Sequence, residues 1–158
     1  MKTALAASAI VIGVFTSSVA DAQIDSPAWY VGQTDTADRF VVFDSISHGD
    51  EPNTVIFNLV MVSRDRRMMQ SGNAYSFNEY EADCNRHRSR VLRYAVFSAT
   101  GEQTLSEETP SSWSADPVGS MSRDIADTIC GDQIPTAEVV SAADFNRFIA
   151  TAIKGGGR

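Results

Sequence analysis

Lysine is nearly missing from this chain: beyond Lys2 the only one is Lys154. Against 20 acidic residues, the 13 basic ones leave a net charge of −7. That balance opposes nucleic-acid binding, because phosphate contacts need clustered cations in excess. Cysteine and histidine are limited to two each. No C-x-x-C pair exists for redox exchange, and no two of Cys84, Cys130, His48 and His87 stand at zinc-finger spacing. Neither a phosphate loop nor a dinucleotide fingerprint is present, so no metal and no organic cofactor is expected. Long apolar runs are missing past the N-terminus. The longest, Val55 to Val62, is interrupted by Asn58 and falls far short of the ~20 residues needed to span a bilayer.

The N-terminus itself is different. Met1-Lys2 supplies a positive start, Ala4 to Phe15 is an apolar run without a charge, and Ala20-Asp21-Ala22 has the small-x-small pattern of a cleavage site. Residues 1–22 therefore read as a secretory signal peptide, cut after Ala22 so that the mature chain begins at Gln23. An exported protein is expected, periplasmic, secreted or held at the cell surface. No cysteine stands at the cleavage point to carry a lipid, so the usual bacterial anchor is not expected. In an oxidising compartment an even cysteine count in a small domain reads as a disulfide, and Cys84–Cys130 is the only intramolecular option. Closing that loop is worth about 4 kcal/mol in the chain-entropy model.

The remaining residues suffice for one domain with a core. Strands are expected at Ala28 to Val31, Arg39 to Ile46, Val55 to Val62, Tyr75 to Cys84, Arg90 to Ser98 and, as a short edge, Gln103 to Leu105. The strands at Arg39 and Val55 carry large apolar groups on both faces, which predicts cover on both sides. Ser63 to Asn73 looks like an exposed connection. The period then changes: Ser120 can cap a helix to Cys130 with Met121, Ile125 and Ile129 on one stripe, and Gly131 offers a left-handed stop. Ser141 and Asp144 resemble a capping box before Phe145, Phe148, Ile149, Ala152 and Ile153, which share one helical face. The expected fold class is α+β: an antiparallel meander of about five to six strands packed by a disulfide-tethered helix, with one extra terminal helix. The expected division is a signal peptide (1–22), an α+β domain (23–135) and a C-terminal amphipathic helix with a glycine tail (136–158).

Cationic charge is concentrated in one third of the chain, at Arg64, Arg66, Arg67, Arg86, Arg88, Arg90 and Arg93. One reading pairs arginines with Glu79, Glu81 and Asp83 across a solvated sheet face; it is the preferred one, because charge runs usually mark such faces. The other makes Arg64, Arg66, Arg67, Arg86 and Arg88 a surface for a protein or other macromolecular partner.

Several stretches together resemble a known family. They are Trp29-Tyr30, the strand ending Val42-Phe43-Asp44-Ser45-Ile46, and Tyr80-Glu81-Ala82-Asp83-Cys84 followed by Arg86 and Arg88-Ser89-Arg90. Tyr94, Gly101, Trp113-Ser114, Asp116-Pro117-Val118-Gly119-Ser120 and a helix closing at Cys130 continue the order. The chain from Ala28 to Gly131 thus resembles the surface-adhesin protein E-like domain. The resemblance implies an antiparallel sheet with a helix tethered by Cys84–Cys130, a bacterial envelope location, and, as in the best-known members, recognition of host matrix and plasma proteins.

Catalytic signals are weak. Asp44, His48 and Asp50 cluster around Ser45 and Ser47, yet no nucleophile elbow surrounds either serine, and a strand end with a glycine turn collects such residues naturally. A non-enzymatic binding module is the expected function. A periplasmic accessory protein is the alternative, and a small hydrolase using Asp44 and His48 a minor one.

Overall fold

The computed structural model describes residues 24–155. The expected signal peptide and cleavage point, and the glycine tail beyond 155, lie outside these residues. The elements follow in the order β1 (Ala28–Gln33), β2 (Ala37–His48), β3 (Thr54–Ser63), α1 (Arg66–Gln70), β4 (Tyr75–Asp83), β5 (Arg88–Phe97), β6 (Gln103–Glu107), β7 (Ser114–Ala115), α2 (Met121–Cys130), β8 (Val139–Val140) and α3 (Ala142–Gly155), with a 3-10 turn at Thr136–Glu138 before β8. All strands join one antiparallel sheet in the order β6-β5-β4-β3-β2-β1-β8, and β7 pairs with β5.

The α+β class and the meander are as expected, but the sheet has eight strands rather than five or six. The two unforeseen strands, β7 and β8, are two residues long each. Pairs that short have no measurable alternation, and only the finished sheet gives them partners.

Alternation along the central strands sends apolar groups to both faces. On one face Trp29, Val41, Val55, Phe57, Leu59 and Ala82 pack with Ile125, Ala126 and Ile129 of α2. On the other, Ala28, Phe40, Val42, Val60 and Val62 pack with Phe145 and Ile149 of α3. The terminal helix therefore completes the core. Phe145 is fully buried, its ring 4.6 Å from that of Phe40. Asn146 ties α3 to the segment before β1, accepting from the Ile24 N–H (3.1 Å) and donating to its carbonyl (2.9 Å).

Both long helices begin as their sequences foretell. The Ser120 hydroxyl accepts from the Arg123 N–H, and Ser141 Oγ accepts from the Asp144 N–H at 3.1 Å while donating to the Asp144 carboxylate. The end of α2 differs from expectation. Gly131 stays right-handed with φ −89°, and Asp132 takes the positive φ of 52°. The Asp132 and Gln133 N–H groups donate to the Ile129 and Thr128 carbonyls, a Schellman closure shifted one residue along. Aspartate tolerates this region better than most side chains.

The connection after β3 also holds more structure than expected. Asp65 caps α1 by accepting from the Arg67 N–H at 2.7 Å, and Met69 is buried beneath it. Where β2 slips register between Val42 and Ser47, Ser45 Oγ accepts from the Asn58 N–H at 2.8 Å, satisfying a donor the ladder leaves open.

Candidate functional site

The β4–β5 hairpin places three acid–base pairs in register: Glu79 opposite Arg93, Glu81 opposite Arg90 and Asp83 opposite Arg88. Each makes an ion pair, at 2.9, 2.6 and 3.1 Å. This is the cross-strand pairing the sequence suggests, and the Glu79–Arg93 pair is solvated as expected, but the other two carboxylates are not. Glu81 and Asp83 are buried, and Trp113 lies against both guanidinium groups behind which they sit, 4.5 Å from Arg88 and 4.5 Å from Arg90. Trp113 reaches the hairpin because β7, immediately after it, pairs with the start of β5. Nothing local in the sequence announces that contact.

Asp83 anchors the hairpin turn. Its carboxylate accepts from the Asn85 N–H (3.2 Å), the Arg86 N–H (3.0 Å) and Arg88 Nε (3.1 Å). Burial by itself would raise its pKa. The hydrogen bonds from Arg86, Arg88 and Asn85, with the Arg88 charge, outweigh that effect and hold the carboxyl below its ordinary 3.8. The sign follows: a depressed folded-state value stabilises the fold above the unfolded value and loses that contribution as pH falls through the folded one. Asp83→Asn is expected to cost about 1–3 kcal/mol at neutral pH, from a buried charged hydrogen-bond group. In urea denaturation the gap from the parent should narrow as pH falls below 3.8. A gap that is constant with pH would mean the charge is not what stabilises the turn.

The candidate arginines do not form one surface. Val62 pairs with Tyr75 at one end of the β3–β4 ladder and Thr54 with Asp83 at the other. Arg64, Arg66 and Arg67 follow the first end, Arg86 and Arg88 the second. Arg88 is committed to Asp83 and Trp113, and Arg86 lies 3.6 Å from Asp83 with its side chain 67 % exposed. Arg64 faces Asp38 at 3.9 Å and Gln33. Arg66 and Arg67 are exposed on α1, and neither has an ion-pair partner among the described residues. Met68 beside them is 47 % exposed.

Asp44 and His48 are both exposed on β2, and no hydrogen bond or ion pair joins their side chains among the described residues. His87 Nδ1 instead lies 3.5 Å from Asp127 of α2, alongside the disulfide that links the same two elements. No cluster of potential metal ligands occurs among the described residues.

A pocket of about 80 Å³ lies between α2 and the sheet, lined by Arg39, Phe57, Leu59, Met61, Tyr80, Ser89, Ser122 and Ile125. Neither Asp44 nor His48 reaches it. Burial raises the Tyr80 pKa above 10.0; the Arg39 charge opposes this and the Asp116 charge adds to it. The phenol is thus protonated at neutral pH, and two opposite charges act on it. No sequence motif marks this site, because its residues come from four strands and a helix.

Comparison with known proteins bears on the architecture as a whole. The family model described as Surface-adhesin protein E matches residues 29–131. No curated protein and no solved structure matches the chain. The match spans the sheet from β1 to β7, the arginine–tryptophan hairpin and α2 with its disulfide, so the chain belongs to the surface-adhesin protein E family.

Proposed function

We propose that this chain is an exported, non-enzymatic protein of the bacterial envelope that recognises an acidic surface on a protein partner through α1. Family membership supports the adhesin-like role. The observation that carries the choice of surface is the state of Arg66 and Arg67. In a chain of net charge −7, they stand exposed without carboxylate partners, next to the exposed Met68. Arginine beside an accessible apolar group is a common composition for a recognition surface. Arg86 and Arg88, by contrast, spend their charge on Asp83.

The test measures binding of the disulfide-bonded chain to immobilised matrix and plasma proteins. Arg66→Glu/Arg67→Glu is expected to weaken binding about tenfold or more and to flatten its salt dependence, since these exposed charges would steer and hold an acidic partner. Unchanged binding would show that both arginines are merely solvated. Protease treatment of intact cells decides the location: digestion places the domain outside, whereas protection until lysis confines it to the periplasm and replaces host proteins by an envelope partner.

A further inference from the structure

We infer that the pocket beneath α2 is a binding site for a small carboxylate with a short apolar body, separate from the α1 surface. The first observation is a guanidinium without an anion. Arg39 sits on β2 opposite Met61 of β3 and Gly32 of β1, on the sheet face that α2 covers. Its Nε is buried with no hydrogen-bond partner, and Nη1 donates only to the Met121 sulfur at 3.0 Å, a weak acceptor. Buried polar nitrogens are ordinarily hydrogen-bonded, so an open one is an informative exception. The other arginines in the sheet obey that rule, each facing a carboxylate across the ladder.

The second observation is the lining. Phe57, Leu59, Met61 and Ile125 form apolar walls beside Tyr80 and Ser122, the Ser122 hydroxyl sharing a hydrogen bond with that of Ser120 at 3.1 Å. Ser122 lies in the first turn of α2, a ten-residue helix whose N-terminal dipole favours negative charge. Ser89 gives its proton to Asp116 Oδ1 at 3.0 Å, and among the described residues no ion pair joins Asp116 to Arg39. Its Oδ2 is itself without a partner. A cation and the first turn of a helix at one place, with hydrocarbon beside them, match a carboxylate on a short aliphatic chain. The volume of about 80 Å³ accommodates a few heavy atoms and excludes anything as large as a nucleotide or a sugar chain.

The test uses the disulfide-bonded chain and butyrate, followed by ¹H–¹⁵N NMR. Butyrate should produce saturable shifts at the Arg39 Nε–H and the Ser122 and Ile125 amides, with a Kd on the order of 1 mM for so few atoms. 1-Butanol, the neutral counterpart, should bind at least about tenfold more weakly, since a charge-assisted hydrogen bond is lost. Arg39→Gln should weaken butyrate equally while keeping the fold, because the side chain has no ion-pair partner to orphan. Should Arg39→Gln disturb folding, Ser122→Asp tests the same point from the exposed rim by placing a like charge at the mouth. Shifts that are absent or never saturate, equal affinity for butanol, or full binding by Ser122→Asp would each overturn the assignment and leave a water-filled cavity.

Discussion

Removing the Cys84–Cys130 disulfide is expected to lower the thermal midpoint by roughly 10–20 °C, corresponding to about 4 kcal/mol. The cysteines are 46 residues apart, so the bond closes a long loop and withdraws many conformations from the unfolded chain. In the folded chain it joins the end of β4 to the last residue of α2, both packed against the same core. The double variant Cys84→Ala/Cys130→Ala, followed by circular dichroism, avoids leaving one reactive thiol behind. A drop of only a few degrees would mean that Ile125, Ala126 and Ile129 hold α2 on the sheet without the covalent tie. The oxidised parent should show no free thiol.

The second large effect is expected at the opposite face. Phe145→Ala should cost about 3–5 kcal/mol in urea denaturation. Its side chain is fully buried, touches Phe40, and seats α3 over Ala28, Val60 and Val62. Truncation there opens a cavity that the neighbouring β-branched side chains cannot fill, because their rotamers are fixed by the pleat. Phe148, 36 % exposed on the same helix and edge-on to Phe40 at 5.0 Å, provides the comparison; its truncation should cost about 2 kcal/mol. Equal, small losses at both positions would mean that α3 is a peripheral attachment.

Local chemistry explains which parts of this fold can be read from the chain. The six longer strands announce themselves through alternation, and Ser120 and Ser141 announce the helix starts through capping. Two cysteines leave one possible bond, which the structure contains. What escaped depends on pairing between distant segments. β8 exists because β1 offers Ala28 and Trp29 as partners. Trp113 matters because β7 delivers it to Arg88 and Arg90. Arg39 looks like any strand arginine until the register shows Gly32 and Met61, rather than a carboxylate, on either side. The arginine cluster is the instructive case. Proximity in sequence suggested a single surface, but an antiparallel strand carries its two ends some 25–30 Å apart over nine residues, and that separates the α1 arginines from those of the hairpin.

The two faces of the sheet also differ in when they can be finished. Every residue in the α2 cluster lies between Trp29 and Ile134, so that side can assemble, bond included, as soon as these residues reach an oxidising compartment. The other side must wait for Phe145 and Ile149, which come later in the chain, before Phe40, Val60 and Val62 are covered. A chain exported only as far as Ile134 would therefore be stapled and native-like on one face while Phe40, Val60 and Val62 lay uncovered on the other.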